Sequence, residues 1–138
     1  MPMTDQERAD FLAEPRVAIL AVARGGRGPL AVPVWFDFRD GELLVWTRAG
    51  SRKAALIRAA GRCTLSVQQP ELPYRYVTAE GPAHCEPDPS REALLAIVTR
   101  YLPQAQAQEY VDSTRTPDAV LVRMRPESWL SAGYGETG

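Results

Sequence analysis

Three short apolar segments separated by glycine turns constrain the fold of this chain more than any other feature. Residues 17–23 form a β-branched apolar run, and apolar side chains alternate with a period of two through residues 30–38. Tight turns are marked by glycines at 25–28 and at 39–41, and a third apolar run follows at 42–47. Because such short turns join antiparallel neighbours, the chain is predicted to begin as a β-meander.

The rest of the chain adds three strands and four short helices to this meander. Periodicity, caps and turn residues predict strands at 62–69, 74–85 and 119–125, and helices at 4–12, 51–60, 88–102 and 104–112. Strands joined by hairpins do not build a parallel α/β sheet, and a closed or split barrel best protects their edges. We therefore predict one mainly β domain over residues 1–138, a six-stranded antiparallel split β-barrel with short flanking helices.

A few residues within or after these strands disturb regular pairing. Pro33 has no amide hydrogen for a ladder, so the strand is predicted to be unpaired or bulged there. Gly81 and Pro82 predict a bend or bulge in the strand at 74–85. Trp129 and Tyr134 are placed in a short tail after the last strand.

Charge and hydropathy exclude some partners. The chain has 16 basic and 17 acidic residues, a formal net charge of −1, whereas nucleic-acid grooves need a basic track. The first 14 residues are polar, and the apolar run at 17–23 is far shorter than the roughly 20 residues that span a bilayer. We therefore expect no nucleic-acid partner, no membrane partner and a cytoplasmic protein.

The chain is also poor in metal ligands and in hydrolase motifs. Cys63, Cys85 and the single His84 lack the paired spacing of a zinc site, so the cysteines are interpreted as buried thiols and no metal is expected. One histidine and no G-x-S-x-G motif argue against a serine hydrolase.

The strongest chemical motif spans residues 47–53, where a predicted strand leads into a helix. Helix-start amides, the hydroxyls of Thr47 and Ser51 and the cations Arg52 and Lys53 together suit a phosphate group. Lys53 is the only lysine among the 16 basic residues. The alternative is a capped surface helix with solvated cations.

Two further segments are candidate binding elements. Pro33, Val34 and Trp35 offer a strand along which a flat ring system can lie, although such residues also suit a plain barrel core. Arg75, between Tyr74 and Tyr76, has the charge to bind a second anion or a substrate carboxylate. It is equally suited to an ordinary surface pair with a neighbouring glutamate.

In order, residues 29–36, 40–47, 50–56 and 74–81 resemble the FMN-binding split-barrel superfamily that contains the pyridoxamine 5'-phosphate oxidases. The motifs are most similar to its actinobacterial flavin- or deazaflavin-dependent oxidoreductase branch. Classical pyridoxamine-phosphate oxidases are longer and carry further basic residues for a phosphorylated substrate. Oxidation of pyridoxamine phosphate is therefore not expected here.

The resemblance assigns roles to individual residues. It implies that Ser51, Arg52 and Lys53 hold the cofactor phosphate, with Thr47 near the phosphate or the ribityl chain. The strand from Val32 through Pro33 and Val34 to Trp35 is implied to lie along the ring system. The resemblance also implies a homodimer with two cofactor sites at the subunit interface, to which Trp129 and Tyr134 of the partner are candidate contributors.

The implied function is an oxidoreductase that transfers a hydride between a bound cofactor and a small organic substrate. The cofactor is coenzyme F420, a deazaflavin with an acidic tail suited to Arg48, Arg58 or Arg62, or else FMN; the motifs favour F420. No general acid stands out, and Tyr74 and Tyr76 are candidate proton donors. The alternative is a flavin- or tetrapyrrole-binding split barrel without turnover.

Overall fold

The structure, a computed structural model, describes residues 2–132. Its elements in chain order are α1 (Asp5–Ala13), β1 (Ala18–Arg24), β2 (Arg27–Val34), β3 (Asp37–Arg39), β4 (Glu42–Arg48), α2 (Arg52–Ala60), β5 (Arg62–Gln68), β6 (Tyr76–Pro87), α3 (Arg91–Val98), α4 (Gln104–Thr114), β7 (Ala119–Met124) and β8 (Ser128–Ala132). The strands are antiparallel and the helices flank them. The predicted class, a mainly β antiparallel split barrel with short flanking helices, is confirmed.

The long strand β6 joins the two halves of the barrel. Its first half pairs with β5 and β8, and its second half, from Ala83, pairs with β7. The strand order is β2-β1-β5-β6-β7-β4-β3, with β8 beside β6. The bend predicted at Gly81 and Pro82 is therefore the point where β6 passes from one half to the other.

The barrel interior explains why some strands alternate and others do not. On β1, Ala18, Leu20 and Val22 are buried while the residues between them are more exposed, as expected for a strand with one covered face. On β4, Leu43 and Val45 point into the barrel core, whereas Leu44 and Trp46, on the other face, pack under the outer helices. Both faces of β4 are thus covered, which accounts for its unbroken apolar run.

Capping residues mark the ends of several helices. Thr4 and Glu7 form a capping box at α1, and the hydroxyls of Ser51 and Ser90 accept the amides of Ala54 and Ala93 at α2 and α3. Gly61 ends α2 at φ 70°, a left-handed conformation that suits glycine. Across residues 2–132, none of the helices has the length and apolarity that crossing a bilayer would take.

The structure contains eight strands where six were predicted, for two reasons. The predicted strand at 30–38 is interrupted, because Trp35 and Phe36 leave the ladder between β2 and β3. The predicted tail is instead strand β8, in which Trp129 pairs with Ala79 along the open side of β6. Pro33 is accommodated without a bulge, opposite Ile19, because β2 lies at the edge of the sheet.

Candidate functional site

A cleft opens where the C-terminal ends of β2 and β4 meet the start of α2 and the outer helices α3 and α4. Its volume is about 260 Å³. Three walls of different chemistry enclose it: a polar wall from β4 and α2, an apolar wall from β2, and a mixed wall from β4 and the outer helices. These walls meet because β4 leads directly into α2, and because the α3–α4 pair packs on the outer face of β4.

The polar wall is built around the cap of α2. Thr47, at the buried end of β4, donates a hydrogen bond to the Ser51 hydroxyl oxygen at 3.0 Å, and the Ala54 amide donates to the same oxygen at 3.2 Å. Since this oxygen accepts both bonds, the hydroxyl hydrogen of Ser51 is left to donate to a ligand. Lys53, in the first turn of α2, lines the cleft and is half-buried.

The charge of the cleft is positive. Among the described residues its lining contains Arg48 and Lys53 but no carboxylate, and Lys53 forms no ion pair within residues 2–132. Arg48 pairs with Asp118 at 3.2 Å on the exposed rim. Hydrogen bonds from Thr116 and then Arg48 lower the pKa of Asp118, which keeps this carboxylate ionised. An anion entering the cleft therefore meets the unpaired ammonium of Lys53.

The apolar wall comes from the end of the edge strand. Pro33, Val34 and Trp35 line the cleft, and β2 pairs only with β1 among the described strands. The Trp35 ring is stacked on Tyr101 with 4.7 Å between centroids and 6° between planes. This wall thus offers a supported flat ring beside a free strand edge.

The third wall was not identified from the sequence. Trp46 and Tyr110 line it edge to face, 6.0 Å between centroids, together with Ile97, Val98 and Thr114. Ile97 and Val98 are also core residues beneath α3. No local motif in the sequence marks Trp46 and Tyr110 as neighbours, because they are 64 residues apart.

The structure brings five of the nine predicted cofactor-binding residues into the lining of one cleft: Pro33, Val34, Trp35, Thr47 and Lys53. A sixth, Ser51, is joined to that lining through Thr47. Whether these residues bind a cofactor stays a prediction.

The other predicted residues lie outside the lining. Val32 packs against the barrel core, and Arg52 is exposed on the first turn of α2. Arg75 donates to Gln69 Oε1 at 2.6 Å and lies over the Phe11 ring at 5.2 Å. This arrangement gives Arg75 a structural role in its own subunit, where neither Glu71 nor Glu80 pairs with it.

The aromatic candidates are also dispersed. Tyr74 lies on the loop before β6 with 64% of its surface exposed, and Tyr76 begins β6; neither lines the cleft. Trp129 packs within its own subunit, edge to face with Phe38 and beneath the Arg8 guanidinium. Tyr134 lies outside the described residues.

The cysteines occupy a different part of the barrel. Cys63 is buried, and burial raises the pKa of its thiol to about 12, so it stays protonated at neutral pH. Burial likewise raises the pKa of Cys85, with Arg58 opposing the shift. Within residues 2–132, no three histidine, cysteine or acidic side chains group as metal ligands would.

The cleft fits the two parts of a phosphate-bearing planar cofactor of the kind the resemblance implies. Its polar wall offers an unpaired ammonium, a hydroxyl hydrogen and helix-start amides, which are the donors that bind phosphate. Its apolar wall offers a flat surface with strand backbone beside it. Both parts lie in a single cavity.

Solved proteins share the fold of this chain. A solved conserved hypothetical protein from Mycobacterium tuberculosis is 25% identical, with a TM-score of 0.77 over 99% of this chain and 92% of that one. A protein described as an F420 reductase is 26% identical, with a TM-score of 0.70 over 88% and 94%. A FAD-binding protein from Mesorhizobium loti, 22% identical with a TM-score of 0.69 over 95% and 93%, shares the fold. No curated protein matches the chain significantly.

The comparison with protein families covers nearly all of the described residues. Residues 4–132 match the family described as pyridoxamine 5'-phosphate oxidase, which confirms the resemblance to the split-barrel superfamily. Proteins of this fold include ones described as an F420 reductase and as FAD-binding, so binding of a flavin-type cofactor or redox chemistry is found at this family level. The chain belongs to the pyridoxamine 5'-phosphate oxidase family.

Proposed function

We propose that this protein binds a flavin-type cofactor in the cleft, with coenzyme F420 preferred over FMN, and transfers a hydride between it and a small organic substrate. The observation that carries the proposal is the meeting of an unpaired cation, a capping hydroxyl and a flat apolar wall in one cavity. The bound cofactor would supply the hydride chemistry. The protein would supply binding, orientation and exclusion of water.

Each wall has a defined task in this proposal. Lys53 neutralises the cofactor phosphate, and the Ser51 hydroxyl, fixed by its bonds to Thr47 and Ala54, donates to it. Val34 and Trp35 hold one face of the ring system, with Trp35 supported from behind by Tyr101. These contacts would hold the ring system beside the C-terminal end of β2.

The preference for F420 rests on charge next to the phosphate site. Arg52 is exposed, adjoins Lys53 and has no ion pair within the described residues, so it is available to an acidic tail. Arg48 and Arg62 are paired with Asp118 and Glu127 on the surface. The similarity to a protein described as an F420 reductase supports the same choice.

Turnover needs a proton donor in or near the cleft. Among the described residues, the lining contains no histidine, aspartate or glutamate. Tyr74 and Tyr76 would act only from the partner subunit's side, because neither lines the cleft of its own subunit. Water and the hydroxyl of Tyr110, which lines the cleft, are the other available donors. The absence of a carboxylic acid or histidine from the described lining favours the second candidate function, a flavin- or tetrapyrrole-binding split barrel without turnover. An assay for cofactor oxidation by candidate substrates would distinguish this function from hydride transfer.

A homodimer forms part of the proposal because one outer face of the barrel carries exposed apolar side chains that no other part of residues 2–132 covers. Pro33, Ile19, Ser66, Thr78 and Leu130 form a row across five strands. Ile19 and Leu130 are 42% and 61% exposed, while the hydroxyls of Ser66 and Thr78 bond to each other at 2.8 Å. We assign this face to a second copy of the chain.

The cleft itself supports this assignment. Its volume of about 260 Å³ is slightly below the range of about 300–1,000 Å³ common for small-molecule sites. Pro33 belongs both to the row and to the cleft lining, so a partner seated on the row would extend the walls of the cleft.

Placing a charge on this face is expected to separate the subunits. Ile19→Arg introduces a guanidinium within the row without disturbing the core, because the Ile19 side chain is exposed. Size-exclusion chromatography with light scattering should show wild-type dimers and variant monomers. Gln108→Arg, on the exposed surface of α4, adds the same charge and should remain dimeric. A monomeric wild type, or a dimeric Ile19→Arg, would contradict the proposed interface.

The experiment that tests the cofactor proposal is a titration of purified protein with F420 and, separately, with FMN, followed by fluorescence. Tight binding of F420 and weaker binding of FMN is the expected result. Tighter binding of FMN would reverse the cofactor assignment. If neither binds below about 100 μM, near −5.5 kcal/mol, the proposal fails.

A further inference from the structure

Tyr101 lies behind the cleft rather than in its lining, and it contacts the apolar wall in two ways. Its ring is stacked against Trp35, 4.7 Å between centroids and nearly parallel. Its hydroxyl accepts the Phe36 amide at 3.1 Å and donates to the Arg16 carbonyl at 2.8 Å. Tyr101 therefore stacks on Trp35 and hydrogen-bonds to the backbone of the next residue, Phe36.

This bond lies at the interruption between β2 and β3. Trp35 and Phe36 have left the strand ladder, so the Phe36 amide needs a partner other than a neighbouring strand. The Tyr101 hydroxyl supplies it and joins this point to the chain segment that enters β1. Burial raises the pKa of the phenol, so the hydroxyl remains a donor at physiological pH.

The neighbouring residue, Arg100, also contacts Phe36. Arg100 lies over the Phe36 ring at 4.8 Å and donates to the Leu12 carbonyl at 2.8 Å, at the end of α1. Arg100 and Tyr101, two consecutive residues in the turn after α3, therefore both contact Phe36, where the edge strand is interrupted. The Trp35 ring thus contacts a segment more than 60 residues away in the chain.

We propose that Tyr101 is a positioning residue for the cofactor site: it holds Trp35 and the Phe36 backbone in the conformation that makes the apolar wall flat. This inference rests on the proposed function, since the wall matters only if a planar ligand lies against it. Tyr101 itself touches neither the cleft nor its ligand, and its effect on binding passes through Trp35.

The test removes the hydroxyl alone. Tyr101→Phe keeps the stacked ring but frees the Phe36 amide. Tyr110→Phe is the control for the quenching measurement, because Tyr110 also contacts Trp35, with 5.6 Å between centroids, but its hydroxyl forms no hydrogen bond within the described residues. Tyr110 lines the cleft, so this variant is not a control for the Kd. Two readouts are needed: acrylamide quenching of Trp35 fluorescence in the ligand-free protein, taken as the difference from a Trp35→Phe background, and the Kd for F420 and FMN.

The expected result has three parts. Tyr101→Phe raises the quenching constant of Trp35 and weakens cofactor binding about fivefold, the size of one lost hydrogen bond. Tyr110→Phe leaves the quenching of Trp35 unchanged. In the Trp35→Phe background, Tyr101→Phe weakens binding by less than about twofold, because the side chain through which it acts is gone.

Three outcomes overturn the inference or the function on which it rests. A Tyr101→Phe variant that melts at a lower temperature but binds cofactor as wild type does would make Tyr101 merely structural. An equal loss of affinity with and without Trp35 would show that Tyr101 acts by another route. If wild-type protein binds neither cofactor, the proposed function fails by itself, and unchanged quenching in Tyr101→Phe would then also reject the positioning of Trp35.

Discussion

Lys53→Ala is expected to weaken binding of the preferred cofactor about 30-fold, or ~2 kcal/mol, the size of one charge-assisted hydrogen bond. Lys53 is the cation of the cleft that lacks an ion pair within residues 2–132, so its ammonium is the group best placed to meet a phosphate. Its loss should leave stability nearly unchanged, because alanine is a good helix former and no described ion pair is broken. Fluorescence titration and thermal melting measure the two effects separately.

The control for this experiment is Arg91→Ala, which removes the same unit of charge at the start of α3. Arg91 is paired with Asp112 at 2.8 Å and does not line the cleft. It should bind cofactor as wild type does, apart from small long-range effects that disappear with added salt. A Lys53→Ala variant with unchanged melting temperature and unchanged affinity would show that Lys53 is not the phosphate anchor.

Gly81→Ala is expected to lower the free energy of unfolding by more than about 3 kcal/mol, beyond the usual cost of overpacking. A Cβ at position 81 would lie 1.9 Å from the carbonyl oxygen of Arg125 and 3.0 Å from the amide nitrogen of Glu127. These are backbone atoms that cannot rotate away. Hydrogen bonds from Arg125 to the Pro82 carbonyl and from Glu127 to the Glu80 carbonyl hold that backbone against β6.

Chemical denaturation would measure the loss for Gly81→Ala, and the melting temperature should fall by roughly 10 °C or more. Gly25→Ala is the matched control, since no atom lies within 4 Å of the added Cβ and its φ is not in the left-handed region. That variant should differ from wild type by less than about 1 kcal/mol. Equal stability of the two variants would contradict the close approach at the bend of β6.

The elements that were predicted correctly have local signals. The turns at 25–28 and 39–41 and the capping residues Thr4 and Ser51 act within a few residues of themselves, so the sequence alone places β1, β4, α1 and α2 to within a few positions. The phosphate-binding motif predicted at residues 47–53 also has a local signal. A strand end, a capping hydroxyl and a lysine follow each other within seven residues, which places Thr47, Ser51 and Lys53 together in any fold that forms α2.

The errors have long-range causes. The strand predicted at 30–38 is interrupted at Trp35 and Phe36, where the Phe36 amide bonds to Tyr101, far along the chain, and not to a neighbouring strand. Strand β8 was missed because its pairing partner is the open side of β6, which exists only after the barrel has closed. Neither event leaves a periodic pattern in the sequence.

For the candidate site, the sequence by itself determined the cations, the hydroxyls and the ring-bearing strand, because each is encoded within one short segment. The tertiary structure alone decided which of them share a cavity: it brings Lys53 and Trp35 to the same cleft and leaves Arg75 bonded to Gln69 elsewhere. It also supplied Trp46 and Tyr110 as a third wall. The physical reason is that hydrogen bonding and capping act between neighbours in the chain, whereas a cavity is defined by packing between segments that meet only when the barrel closes.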